Sequence, residues 1–514
     1  MSGAASGDGG SILARTARGA GWVIAWRAAT RLLGLCSTLI LVRLLAPADF
    51  GLVSLAAAVA ATLDTALSFG VEDQIVRAHS PGRDLYDTAF TLNLLRAGLL
   101  ALIVALAAAP AAGFVHDPRL EGVLLALAAS AMISGLENVG TADFRRNLDF
   151  AKEFRLMLMP RLLGIAVTIG SAFVLHSHWA LVAGILVNRA GVIGMGYAMH
   201  PFRPRLSLSA WRQLAGVSFW SWALGLVTLL RDRSDSLVVG RSLGTTGNGF
   251  YAVGIEVAAL PATEMVDPLC RACMPGFAEA ARSDQGAAES YLRIIATMAL
   301  LTLPAGIGVS LMAGPVVALA FGREWLAAVP VVAIVGAAYS IVLFGNVSSA
   351  LLNAQAWLSG IFRLTFGAGI LRALLLVLLV PRFGLTGAAV ALSVSVVAEQ
   401  SVLILCAMHR LGLRAADFIA ASWRPAIACT AMAAVLWAGG WGWAAAPESA
   451  GAAVRELAIG VPLGAAVYAA VLMGLWFACG APRSAEADLL GFIGRTGRAA
   501  LGRIAIGLPA GRAS

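Results

Sequence analysis

The residues best placed to do chemistry are arginines and acids set inside otherwise apolar runs. Arg27 and Arg31 are four positions apart, which puts them on one face of a helix. Arg27 lies roughly 10 Å along that helix from its start, too deep for easy snorkelling. Two like charges on a shared face call for an anion or a pair of acids. A later apolar run closes on Arg231-Asp232-Arg233-Ser234-Asp235, where Arg231 and Asp235 have the spacing of a helical pair. Arg96 and Arg372 stand within further runs, as do Asp64 and Glu256. Charges within apolar spans are costly and point to function. Guanidinium groups stay charged and hold phosphate oxygens in bidentate pairs. Arg27, Arg31, Arg231, Arg233, Arg96 and Arg372, with Asp235, are therefore candidates for an anion-binding cavity. Asp64 and Glu256 are candidates for a coupling ion. The competing reading is structural, with Arg231–Asp235 or Glu264–Arg271 as internal ion pairs.

The elements that must carry these residues follow from composition. Of 514 residues, 59% are apolar and 13% charged, with mean hydropathy +0.83. A soluble domain carries roughly 25% charged residues, so the natural solvent here is a bilayer. Runs long enough to span one, about 20 residues each, recur near 20–42, 50–70, 86–109, 121–140, 156–175, 179–198, 214–231, 250–270, 291–313, 330–350, 361–380, 385–408, 426–446 and 457–479. The predicted fold is an all-α polytopic membrane protein with about fourteen transmembrane helices. The run after the basic N-terminus is too long for a signal-peptide core and reads as an uncleaved first span. Arginines cluster in alternate connectors, which by the positive-inside tendency places both termini in the cytoplasm.

Several functions are excluded. The net charge of +9 is spread over short connectors rather than gathered into a basic domain, so no nucleic-acid partner is expected. The one lysine, Lys152, follows an alanine, so there is no phosphate-binding loop and no ATPase. The six histidines suggest no metal site, and Cys270 and Cys273 read as small residues on a helix. No catalytic residue, cofactor or metal is expected.

The sequence also repeats itself. Arg43 through Leu52 aligns without a gap with Arg241 through Phe250, and Asn138 through Arg155 aligns with Asn346 through Arg363. The inferred layout is a segment 1–19, a first lobe of six helices at 20–200, a second at 201–410, two extra helices within 411–480 and a basic amphipathic tail at 481–514. Repeated halves with a site between them suit an alternating-access carrier.

The stretch Leu41-Val42-Arg43-Leu44-Leu45-Ala46-Pro47-Ala48-Asp49-Phe50-Gly51-Leu52, with Leu67-Ser68-Phe69-Gly70, resembles the N-terminal signature of bacterial polysaccharide flippases. So does Asp235-Ser236-Leu237-Val238-Val239-Gly240-Arg241-Ser242-Leu243-Gly244 leading to Gly249-Phe250-Tyr251. These flippases form a branch of the multidrug/oligosaccharidyl-lipid/polysaccharide exporter superfamily. The resemblance implies two six-helix lobes around a central cavity in the bacterial inner membrane. It implies a lipid-linked oligosaccharide, an undecaprenyl-diphosphate repeat unit, as substrate. Membrane lipids and a polysaccharide polymerase would be its partners. Two rivals stay open: a multidrug cation antiporter of the same superfamily, which should prefer acidic cavity residues, and a membrane-embedded glycosyl- or acyltransferase, for which Asp232 or Asp235 would serve as the acid.

Overall fold

The computed structural model describes residues 30, 33–34, 36–67, 75, 81–147, 149–211, 219–261, 286–355, 357–442, 447, 449–482 and 485–487. Arg27, Arg31, Glu264, Arg271, the Cys270–Cys273 pair and the tail from 488 lie outside them. The described chain is helical throughout. Residues 36–44 close a first helix. Then follow α1 (Pro47–Ala66), α2 (Arg83–Val115), α3 (Arg119–Ser134), a short α4 (Ala142–Arg146), α5 (Phe150–Leu175), α6 (Trp179–Met199) and α7 (Phe219–Pro261). The remainder is α8 (Ala287–Leu311), α9 (Ala313–Ala320), α10 (Val329–Ala354), α11 (Leu358–Arg410), α12 (Ala415–Ala438) and α13 (Ala450–Ala478). Among the described residues nine helices are long and apolar enough to cross a membrane, or ten if α3 and the bent segment after it count as one span. Large apolar side chains such as Leu106, Val174, Val377 and Phe477 point outward, a surface that water would reject and hydrocarbon accepts. The chain is a multi-pass membrane protein.

Two glycines turn long helices into pairs. Within α7, Gly244 has φ +70°, and within α11, Gly384 has φ +57°, conformations open to glycine and costly for other residues. The eighth span therefore begins at Thr245, ahead of the predicted 250. The repeat is visible in these same breaks. Thr245, which follows Gly244, occupies the repeat position of Pro47, where α1 begins after Ala46. Similarly α5 and α11 start at matching positions, and α5 ends on left-handed His176 where α11 breaks at Gly384.

Two other boundaries differ from expectation. The fourth span stops at Ser134 and bends by 67°, because the Asn138 side chain accepts from Gly140 N at 3.0 Å and donates to the carbonyls of Gly196, His200 and Phe202. Such side-chain bonds compete with helix continuation. At the aligned Asn346 the helix simply continues. The thirteenth span begins at Ala415, well before the predicted 426, where the Asp417 carboxylate accepts the Arg414 backbone N–H at 2.8 Å. Arg424, placed by sequence in a connector, thus lies inside α12 and faces Glu486 at 3.2 Å.

Packing divides the chain into two compact units. One comprises Met1–Gly254, Ala320–Ala328 and Leu358–Leu392, and the other Ile255–Leu319, Val329–Trp357 and Ser393–Ser514. The first centres on Leu52, Leu55, Val104, Leu124 and Val182. The second has one core around Tyr291, Met298, Leu343 and Val347, and another where α12 and α13 meet α8 around Met312, Met432 and Leu436.

Within the first unit, the connector after α6 is strapped onto the start of α2. Arg205 N donates to Asp87 at 2.8 Å, Ser207 N to Thr91 at 2.9 Å and Ala210 N to Thr88 at 3.2 Å. The accepting side chains are buried, so losing one leaves an amide unsatisfied at about 1–3 kcal/mol. Asp87→Ala is expected to speed amide exchange at Arg205 about fivefold or more; unchanged exchange would mean the strap is held by packing alone.

Candidate functional site

The long helix α7 carries the charged sequence Arg231-Asp232-Arg233-Ser234-Asp235 ahead of its break at Gly244. At 1.5 Å per residue, Arg233 lies roughly 16 Å along the helix from that break. Helix α11 supplies Arg372, whose side chain is only 5% exposed. Its guanidinium stands 3.6 Å from Asp235, 3.7 Å from Asp232 and 3.3 Å from the Arg231 carbonyl. Asp235 is equally buried and accepts from Tyr251 at 2.9 Å and Ser234 at 3.4 Å. Arg231 turns to its neighbour Asp232 at 2.9 Å. So the α11 guanidinium faces Asp235, and Arg231 takes the adjacent acid, whereas spacing alone pairs Arg231 with Asp235.

The charges of this cluster cancel: Arg231 and Arg372 against Asp232 and Asp235. Arg233 adds one more. It is partly buried and has no ion-pair partner among the described residues. It is the cation of this cluster left without an acid among the described residues.

The remaining candidates are dispersed. Arg96 pairs with Asp64 at 2.5 Å and also donates to Asn93 at 3.2 Å, so a cavity arginine and a coupling-ion acid of the sequence reading neutralise each other. Glu256 is exposed near the end of α7.

The second arrangement of note was missed as a site by sequence reasoning, although the repeat names its residues. At the end of the bundle where α1 begins, repeat-equivalent Gly51 and Gly249 pack against each other. A Cβ on Gly51 would strike the Thr245 carbonyl and the Gly249 nitrogen, and one on Gly249 would strike the Pro47 carbonyl. Since Pro47 and Thr245 are themselves repeat equivalents, the contact is reciprocal. Asn248, fully buried, donates to the Gly51 carbonyl at 2.8 Å.

Flanking connectors brace this contact crosswise. From the first repeat, Asp117 accepts from Thr245 at 3.1 Å, Arg119 reaches Thr245 at 3.4 Å, and Arg241 bonds His116 and lies over the Phe114 ring. The Arg119 side chain, bonded to Asp117, holds that carboxyl below the usual carboxylate range against the opposing effect of partial burial. From the second repeat, the buried Trp325 donates its indole N–H to the Val42 carbonyl at 3.2 Å and meets Phe50 and Phe250 edge-on. Asp49 is also tied down, accepting the His178 backbone N–H at 3.0 Å. Here α1 and the second part of α7 touch backbone to backbone. At the other end of α1 and α7, where Trp222 donates to the Ala66 carbonyl at 3.1 Å, an open cavity of about 420 Å³ leads toward Asp232.

Comparison with known proteins bears on family and fold. The pattern of the family described as "Polysaccharide biosynthesis protein" matches residues 40–330. The lipopolysaccharide biosynthesis protein WzxC of Escherichia coli (strain K12) is 23% identical over 350 residues, 67% of this chain and 71% of that one. The succinoglycan biosynthesis transport protein ExoT of Rhizobium meliloti (strain 1021) is 23% identical over 316 residues, 61% of this chain and 64% of that one. The chain thus spans about two thirds of the length of these relatives. Among solved structures, the lipid II flippase MurJ in its inward closed conformation superposes with TM-score 0.71 at 12% identity, covering 89% of this chain and 99% of that one. At that identity the likeness is one of fold.

Proposed function

The chain belongs to the polysaccharide biosynthesis protein family, and we propose that it carries undecaprenyl-diphosphate-linked repeat units across the bacterial inner membrane by alternating access. It is a transporter rather than an enzyme, and its relatives named for lipopolysaccharide and succinoglycan biosynthesis supply the class of cargo. The observation that carries the reading is Arg233, a partly buried arginine with no acidic partner among the described residues, beside a cluster whose other charges cancel. A diphosphate is the group such a residue best serves, because bidentate N–H···O bonds fit phosphate oxygens. Arg27 and Arg31, on one helix face by sequence, share that task, while the polyprenyl tail stays in lipid. Asp64 and Glu256 are the acids through which an ion gradient would act. Both termini face the cytoplasm, the two sequence-related halves at 20–200 and 201–410 rock against each other, and a polysaccharide polymerase takes the product on the far side.

The cation-antiporter rival is disfavoured by the same residue, since an unneutralised arginine repels a cationic drug. A deletion strain is expected to lose surface polymer and accumulate complete diphosphate-linked repeat units. Restoring Arg233→Ala should leave export at least about tenfold down, the worth of one charge-assisted hydrogen bond, with Arg233→Lys partly active. Normal polymer output from Arg233→Ala, at equal protein level, would remove the anion role from this position. Truncated units in the deletion strain would mean that the protein builds the unit instead of moving it.

A further inference from the structure

The cavity of about 420 Å³ beside α7 has a composition that the diphosphate does not explain. Its walls are Leu224, Leu229 and Leu358, with the small polar residues Thr65 and Thr228. Gly225 lines it too, and a Cβ there would meet nothing within 4 Å, so the wall is bare at that point. The single charge in the lining is Asp232. Its position is set by two guanidiniums, both on the same oxygen: Arg231 at 2.9 Å and Arg372 at 3.7 Å from Oδ1. The other oxygen, Oδ2, accepts no hydrogen bond from the described residues, and the side chain is 48% exposed.

A carboxylate fixed on one side and open on the other selects its ligand by chemistry. It repels a diphosphate. A polyprenyl chain would strip its water and return nothing. A sugar ring supplies both things this cavity asks for: hydroxyls that donate to a carboxylate, and a C–H face that packs on leucine. The volume falls in the range of small-molecule pockets, about 300–1,000 Å³. Resting on the transport reading above, we propose that this cavity is a glycan subsite, in which Asp232 Oδ2 accepts a hydroxyl of a neutral sugar in the cargo. The diphosphate then answers to Arg233 and the sugar to Asp232, one residue before it.

The test uses the purified full-length protein in liposomes and two probes, bare undecaprenyl diphosphate and the same carrier bearing neutral hexose. Asp232→Ala is expected to lower the preference for the glycosylated carrier about tenfold, the scale of a lost bond to a charged group. Asp232→Asn, which can still accept, should lose less. Gly225→Phe fills the cavity without touching the ion pairs and should lower the same preference, so the result does not depend on an intact cluster. An unchanged preference in both Asp232→Ala and Gly225→Phe would overturn the glycan subsite while leaving transport standing. Equal loss for both carriers in Asp232→Ala, together with loss of dependence on an imposed proton or sodium gradient, would make Asp232 an ion-coupling group and overturn it as well. A wild-type protein that moves neither carrier would defeat the transport reading itself.

Discussion

Gly249→Ala is expected to cut export about 5-fold or more while the protein remains in the membrane. The added methyl points at the Pro47 carbonyl, closer than any ordinary contact, and backbone cannot rotate out of the way as a side chain can. Overpacking of this kind costs about 1–3 kcal/mol, which shifts a two-state balance about 5- to 150-fold. The state penalised is the one in which α1 and the second part of α7 touch, so the protein should dwell with this end open. Gly51→Ala should do the same through the Thr245 carbonyl. The check is a cysteine placed at Thr245 and its reaction with a membrane-impermeant thiol reagent, together with polymer output. Faster labelling with weak export supports a gate; unaltered labelling and export in both glycine variants would show that the contact opens in neither direction during transport.

The second large effect concerns Arg372. Its guanidinium is the closest cation to the buried Asp235, and it also bridges to Asp232 and the Arg231 carbonyl. Removing one partner of a buried pair strands the other charge at about 3–5 kcal/mol, more than deleting both. Arg372→Ala should therefore lower membrane abundance and apparent melting temperature in detergent sharply. The double variant Arg372→Ala/Asp235→Asn should recover more than half of the loss. A lysine at 372 should recover little, because a point charge on a flexible stem does not span several acceptors as a planar fork does. If the double variant melts no higher than the single, the pair is not what holds α7 to α11.

Much of this was legible in the sequence because a bilayer leaves a coarse signal. Apolar runs of span length stand out wherever they occur, and the repeat marked Pro47 and Thr245 as equivalent before their geometry was known. The boundaries failed where a local bond outcompeted hydropathy. Asn138 ends a helix through three carbonyls distant in sequence, and the Arg414–Asp417 cap starts one in a stretch that looks like a charged connector. The site was legible only as a set of residues. Spacing along α7 offers Arg231 to Asp235, but the tertiary fold brings Arg372 from α11 and reassigns the pairs. Asp232 went unnoticed as a binding residue because its distinction, one oxygen held and the other open, belongs to the cavity rather than to any motif.

The reciprocity at Gly51 and Gly249 has a consequence for mutation. In a two-fold symmetric dimer each residue near the axis meets its own copy, so one mutation changes the interface twice. Here position 51 meets 245 and 249 while position 249 meets 47 and 51, the same reciprocity within a single chain. A single chain need not keep the copies alike: Pro47 corresponds to Thr245, and Asp49 faces His178 while its counterpart is Gly247. Arg43/Arg241, Leu45/Leu243 and Gly51/Gly249 are the identical pairs of the aligned stretch, and the glycines are the pair in mutual contact, so a change at either is felt by both halves.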